Sequence, residues 1–373
     1  MDILFLNWKD LRNPDVGGAE IIVYELAKRL VADGHRVTWF CRSFVGAREH
    51  DIYDGIEIIR RGNKITVYWE AYRYYQSLMN KPDMIIDCIN TICWQTPLYI
   101  PKSNRVMLVN QLAKEVFFYE LPFPLSYIAY VLERIEYLTY RDTKVFCYAP
   151  STKKDLETFG IPEKNTSVFP LGVDHNRYKS GKKSKDPFFL FVARLTSMKR
   201  PDLCVEAMRV VVKKYSKAKL AIVGYGPMEN KLEGMIQKYG LEKNVYLVNK
   251  NTLYFDKDPK DVKVRLMQQA WALLLPSVKE GWGMVVTEAA ACSTPSIVTS
   301  VTGLIDAVEH NKTGIVVDYD ISADGFANQI LSLISDRALS TTLGKNAMRR
   351  SKSFNWDKSY QIFSSLLFGY ETH

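Results

Sequence analysis

The sequence predicts an α/β protein built from two doubly wound parallel-sheet domains, and three observations carry that expectation. Short apolar runs rich in Val, Ile, Leu and Phe recur along the 373 residues, spaced so that a helix fits between one run and the next. The alternation occurs twice, on either side of a polar stretch from Asn176 to Asp186 rich in Lys, Ser and Gly. With 47% hydrophobic residues and no low-complexity tract, the whole chain should fold.

Taken in order, residues 3–6 form the first predicted strand, a helix follows over 19–33 and is closed by Gly34, and 36–41 returns as a strand. Further strands fall at 56–59, 84–88, 106–109 and 145–148, and a helix over 151–159 is entered through Ser151 and ended by Gly160. After the polar stretch come strands at 188–192, 220–223, 245–247, 271–275, 296–299 and 315–317, again with helices between them. The first domain spans 1–175 and the second 176–354. A last helix over 356–368 carries large apolar residues, so it must dock; residues 355–373 are expected to complete the first domain. Two such sheets facing one another place the default ligand site in the cleft between them, at the carboxyl ends of the strands.

The segment from Lys279 to Ala291 is the most informative about chemistry. The run Trp271-Ala272-Leu273-Leu274-Leu275-Pro276 reads as a buried strand, Gly281 and Gly283 as a tight loop, and 284–292 as a helix packed by Val285, Ala289 and Cys292. Glu280 then lies in the loop and Glu288 in the helix. Carboxylates there suit a bidentate grip on vicinal hydroxyls, which sugars and riboses carry; a solvated loop Glu and a Glu favouring the helix dipole are the plain alternative.

Net charge is +9, which favours an anionic partner, but the Lys and Arg residues are dispersed, so a nucleic-acid-binding face is not expected. Runs such as Lys182-Lys183-Ser184-Lys185 read as solvated surface. The six cysteines form no CxxC pair, which argues against zinc and disulfides and for a reducing compartment. No signal peptide and no run of about 18 apolar residues long enough to span a bilayer is read in the chain.

The order of the motifs resembles the retaining GT-B glycosyltransferases of family 4. It rests on Gly17-Gly18-Ala19-Glu20, Asp33-Gly34-His35-Arg36-Val37, Pro170-Leu171-Gly172-Val173-Asp174, Val192-Ala193-Arg194-Leu195 with Lys199, Val223-Gly224-Tyr225-Gly226-Pro227, and Pro276-Ser277 leading to Glu280 and Glu288. The resemblance implies that the second domain binds a nucleotide-diphosphate sugar, the first binds the acceptor, and the last helix crosses back to the first domain.

Beside the resemblance, the residue types suit those roles. Arg194 and Lys199 follow a strand and can neutralise a diphosphate leaving group, with no metal site in view. Gly17 and Gly18 bring backbone N–H groups at a helix start toward a phosphate. Gly224 and Gly226 either make a turn or let a nucleotide lie against the backbone. Glu288 is expected at the ribose hydroxyls and Glu280 at the sugar hydroxyls, with Gly281, Trp282, Gly283, Met284 and Val285 beside the transferred sugar. One departure stands out: many relatives carry a His in the first domain where this chain reads Val109-Asn110-Gln111, so Gln111 is the candidate there, and the leaving diphosphate can itself take the acceptor's proton. None of the five histidines fits that place.

For the acceptor, the aromatic stretches 116–130 and 68–75, with Lys64 and Lys81 near, suit an anionic lipid interface or else an aromatic core seam. A lipid-linked acceptor such as a polyprenyl or dolichyl diphosphate sugar, met on the cytoplasmic face of a membrane, is the resulting expectation. A nucleotide-sugar epimerase and a noncatalytic sugar-nucleotide-binding protein remain as alternatives.

Overall fold

The computed structural model of the chain describes residues 1–248 and 259–369. The chain divides into two compact units, Met1–Leu171 with the segment from Trp356, and Gly172–Asn355. The division falls four residues earlier than the expected 175, because residues 172–175 are tied to the second unit. Val173 N–H donates to Phe354 O at 3.4 Å, and His175 Nε2 lies 3.1 and 3.0 Å from the carbonyls of Ser351 and Phe354.

In the first unit the strands are β1 (Asp2–Leu6), β2 (Arg36–Cys41), β3 (His50–Tyr53), β4 (Ile56–Arg60), β5 (Met84–Ile89), β6 (Arg105–Val109), β7 (Lys144–Cys147) and β8 (Thr166–Val168), in the sheet order β3-β4-β2-β1-β5-β6-β7-β8. Every pairing is parallel except β3 with β4. The edge strands β3 and β8 were not expected. β3 is polar and exposed at His50 and Ile52, and β8 has only three residues, so neither shows an apolar run. Helices α1 (Gly18–Ala32), α2 (Val67–Ser77), α3 (Phe117–Glu120), α4 (Leu125–Leu138) and α5 (Pro150–Thr158) connect them. Helix α5 begins at Pro150 rather than at Ser151, whose side chain is no cap: Pro supplies the fixed φ of a first helical residue and extended Ala149 precedes it.

Central strands are buried on both faces, as in parallel sheets covered by helices; Phe5, Trp39, Phe40 and Phe146 are each at most 2% exposed, and such burial contributes about 2 kcal/mol per side chain.

The second unit holds β9 (Phe188–Val192), α6 (Pro201–Lys214), β10 (Lys219–Val223), α7 (Glu229–Lys238), β11 (Val245–Val248), α8 (Pro259–Gln269), β12 (Ala272–Leu275), α9 (Met284–Ala291), β13 (Ser296–Thr299), α10 (Leu304–Ala307), β14 (Gly314–Val317), α11 (Ala323–Ser335) and α12 (Arg337–Ser351). Among the described residues its sheet runs β11-β10-β9-β12-β13-β14, all parallel. Lys183 departs from the solvated run expected of it. Its Nζ donates to Cys292 O at 3.2 Å and lies 2.5 Å from Thr294 Oγ1, and burial pushes the amine down to about 7.

The last helix, α13 (Trp356–Phe368), belongs to the first unit. Phe363 is fully buried, with its ring centroid 5.9 Å from Phe146 and 5.5 Å from Phe169. Tyr360 OH donates to Asp33 at 2.5 Å, and Arg29 pairs with Asp357 at 2.7 Å.

Among the parallel strands of each sheet the order reverses once: β1 is flanked by β2 and β5, and β9 by β10 and β12. The loops leaving β1 and β5, and those leaving β9 and β12, therefore border the crevices where α/β sheets bind ligands.

Candidate functional site

At the reversal in the second unit, the loop after β9 carries Arg194 and Lys199 and the loop after β12 carries Glu280. The two loops are joined by backbone, Val278 N–H to Met198 O at 2.7 Å. Lys199 Nζ lies 2.6 Å from Glu280 Oε1 and donates to Lys279 O at 3.2 Å, while Ser277 Oγ donates to the same Glu280 oxygen at 3.0 Å. Both charges are largely enclosed, so the pair holds more firmly than a surface pair would. Arg194 is exposed, and its guanidinium has no partner among the described residues. A cation without a partner beside a paired one is an arrangement that receives an anion.

The glycines of this region have packing reasons. A Cβ on Gly224 would stand 1.9 Å from Ala193 O, and one on Gly226 2.5 Å from Leu195 O. The loop after β10 thus lies directly on the loop bearing Arg194, held by Leu195 N–H to Tyr225 O at 2.9 Å and Met228 N–H to Leu195 O at 3.0 Å. Gly283 has φ +78° and faces Leu304 Cδ2, where a Cβ would approach to 2.6 Å. Gly303, which the sequence reading passed over, lets the loop after β13 press on Gly281: a Cβ there would meet the Gly281 carbonyl at 2.7 Å. Trp282 is buried with its ring centroid 5.4 Å from Phe354, and its indole N–H has no partner among the described residues. Met284 and Val285 are half-buried. Val286 replaces Val285 on the packed face of α9, whose buried residues are Val286, Thr287, Glu288, Ala289 and Ala291.

Glu288 is brought close to neither Lys199 nor Glu280 by any contact of its own. Its Oε1 accepts from Tyr178 OH at 2.9 Å and its Oε2 pairs with Lys263 Nζ at 2.5 Å, whose ammonium also lies 5.5 Å from the Tyr178 ring centroid. Tyr178 and Lys263 escaped the sequence reading because nothing local marks them; Tyr178 lies 110 residues from Glu288. Burial and the Glu288 charge push the Tyr178 hydroxyl well above its ordinary value, so it stays a donor.

In the first unit, Gly17 has extended backbone, and its N–H already donates to Glu20 Oε2 at 2.7 Å. An incoming phosphate would meet the following amides at the start of α1, including that of exposed Gly18, rather than that of Gly17. Gln111 is half-buried at the carboxyl end of β6, within a loop fixed from below. Glu133, 2% exposed, accepts from the N–H groups of Ala113 and Lys114 at 2.6 and 2.8 Å. Lys114 adopts φ +46°, a strained conformation for a side chain-bearing residue, and its Nζ pairs with Asp155 at 3.1 Å.

Helix α4 is turned inside out. Ser126, Glu133 and Tyr137 are its buried positions, whereas Leu125, Tyr127, Ile128, Val131, Leu132, Ile135 and Leu138 are exposed by 39–58%. Phe118 and Phe123 extend the patch at 50% and 85%, while Phe117 is buried at 8%. The aromatic stretch thus divides between core and surface. Beneath the helix, Asp87 on β5 is wholly buried and accepts from Tyr140 OH and from Thr96 Oγ1 at 2.7 Å; burial, opposed by those bonds, pushes its carboxyl up to about 6.

Among the described residues no group of three or more His, Cys, Asp and Glu side chains is placed to hold a metal ion, and no helix is long and apolar enough to cross a membrane. All six cysteines are buried, and none is in a disulfide.

Two doubly wound sheets with such a site define the GT-B class. The solved sucrose-phosphate synthase of Thermosynechococcus elongatus superposes with a TM-score of 0.80 at 21% identity, over 99% of this chain and 100% of that one. Anabaena HepE, solved in complex with UDP-glucose, gives 0.74 at 17% identity over 99% and 100%. The family described as Glycosyl transferases group 1 matches residues 173–350, and Glycosyltransferase Family 4 matches 16–177. The chain belongs to these GT-B glycosyltransferases. An uncharacterised glycosyltransferase of Methanocaldococcus jannaschii is 29% identical over 61% of the chain, and the match spans only 60% of that relative's length.

Proposed function

We propose that this glycosyltransferase moves a sugar from a nucleotide-diphosphate sugar to a lipid-linked acceptor, with retention of configuration and without a metal, while resting on an anionic membrane surface. The donor half of this reading is supported by the charge arrangement at the β9/β12 crevice. Arg194 and Lys199 would take the diphosphate, stabilising the charge that grows as the glycosidic bond breaks. Glu280, released from Lys199, would accept hydrogen bonds from sugar hydroxyls, and Glu288 from the ribose. The departing diphosphate is the base for the acceptor hydroxyl, with Gln111 a hydrogen-bonding partner in the first unit. The solved complex of HepE with UDP-glucose makes a nucleotide-diphosphate glucose a reasonable first donor to try.

The observation that carries the acceptor half is the inside-out helix α4. An apolar face of that size has no reason to be exposed in water and fits the interfacial layer of a bilayer, with exposed Arg134 and Arg141 beside it for anionic headgroups. Vesicle flotation tests it: the protein should float with vesicles containing anionic lipid, bind neutral ones poorly, and come off in high salt, since exposed charge attraction is screened. A Leu132→Glu, Phe123→Glu variant that floats like the unaltered protein would remove the support for a lipid-linked acceptor.

A further inference from the structure

The loop between β1 and α1 lies at the carboxyl end of β1, beside the reversal of the first sheet, and contains polar hydrogens with nothing to bind. Arg42, 7% exposed, lies across it with its guanidinium carbon 4.9 Å from the Trp8 ring centroid. Its Nε is buried and has no hydrogen-bond partner among the described residues; nor have Trp8 Nε1 and Asn13 Nδ2. The other Arg42 contacts are long: 3.4 Å to Ser43 O and 3.7 Å to Asp15, a half-exposed carboxylate. Arg42 N–H donates to Trp8 O at 3.2 Å, and Asp15 N–H to Asn13 Oδ1 at 3.0 Å, so the three donors belong to one compact cluster. Nearby carboxylates are committed elsewhere: Asp10 to Arg60 at 2.7 Å, and Glu20 to Gly17 N–H and to Lys9 at 3.6 Å.

Buried donors are nearly always satisfied, and three unsatisfied ones around a single loop, one of them a cation, describe a place shaped for an oxygen-rich anion. The unsatisfied guanidinium, amide and indole groups are all N–H donors, and the Asn13 amide oxygen is already taken by Asp15 N–H, which favours a phosphate over a neutral sugar face. We infer that Arg42, Asn13 and Trp8 hold the phosphate or diphosphate group of the acceptor. The inference rests on the reading of the first unit as the acceptor side. It adds where the anionic group of such an acceptor is held: in the β1–α1 loop, displacing Asp15 from Arg42.

Inorganic pyrophosphate is the probe, titrated by calorimetry into the full chain carrying Arg194→Ala and Lys199→Ala, so that the β9 loop contributes little. Adding Arg42→Gln should weaken binding roughly tenfold or more, the worth of one charge-assisted hydrogen bond, and Trp8→Phe and Asn13→Ala should each weaken it less. If Arg42→Gln does not fold, Trp8→Phe, which removes the indole N–H and part of the ring while keeping an aromatic face, decides together with Asn13→Ala. Pyrophosphate binding that is absent in this background, or that none of these substitutions changes, overturns the inference. Two competitors then identify the source of the phosphate. Displacement by vesicles carrying a polyprenyl phosphate supports a lipid-linked acceptor. Displacement by glucose 6-phosphate alone keeps the anion site and removes the lipid-linked reading.

Discussion

Lys199 and Glu280 hold one another across the reversal of the second sheet, Nζ to Oε1 at 2.6 Å, with Ser277 Oγ on the same carboxylate oxygen. In the proposed reading the pair joins a cation that would take the diphosphate to a carboxylate that would take the sugar, and a whole donor would release both. Occupancy by a whole nucleotide sugar would then be favoured over occupancy by either fragment.

Removing either cation should cost turnover and leave the fold intact. Lys199→Ala or Arg194→Ala is expected to lower kcat by about 100-fold or more, the range for losing one stabiliser of developing charge. Activity should persist in chelator. Full turnover in either variant, or a loss in chelator that Mg²⁺ reverses, counts against cationic side chains as the stabilisers.

Glu288 already engages Tyr178 and Lys263, so its carboxylate is oriented before the donor arrives. Glu288→Ala should weaken nucleotide-sugar binding by about 2 kcal/mol or more, as expected for a charged hydrogen-bond acceptor. Calorimetry that finds donor affinity unchanged removes Glu288 from the ribose.

The aromatic stretch divides between core and surface at a single residue step, and its variants should divide likewise. Phe117→Ala should cost about 3 kcal/mol in unfolding experiments because the residue is buried. Phe118→Ala and Tyr127→Ala, half-exposed, should leave melting almost unchanged and reduce vesicle binding. Equal destabilisation by all three would make the stretch a core seam.

Asp87 gives the first unit a pH signature. Its carboxyl is pushed up to about 6 when folded, above the ordinary value. The native state therefore holds a proton more tightly than the unfolded chain. The resulting stability is fully present below about 4, and is lost as pH rises through about 6, by roughly 3 kcal/mol at most. Asp87→Asn should remove that slope from denaturant titrations run across this window. An unaltered slope would show that another group is responsible.

Much of this was legible in the sequence because periodicity reports burial. The strands at 36–41, 188–192 and 296–299 and the helix at 356–368 coincide with β2, β9, β13 and α13, since each strand centres on a short apolar run and the helix carries large apolar residues at helical spacing. The polar edge strand β3 carries no such signal. Glu280 and Lys199 were visible as candidates from their loops, but their 2.6 Å pairing depends on two strands made neighbours by topology. Tyr178 and Lys263 could not be read, because a long-range partner leaves no local pattern. Helix α4 was only half readable: its aromatic content is plain, yet the outward apolar face is known only once Glu133 and Ser126 are seen buried.

Transfer itself is the most direct test of the account. The protein should be incubated with a panel of radiolabelled nucleotide sugars, with and without lipid extract, and the label partitioned between organic and aqueous phases. The account predicts that one donor yields label in the organic phase, only when lipid is present, with the anomeric configuration of the donor retained. Label that appears instead as a free or epimerised sugar without any lipid, or no turnover of any donor across the panel, would contradict it.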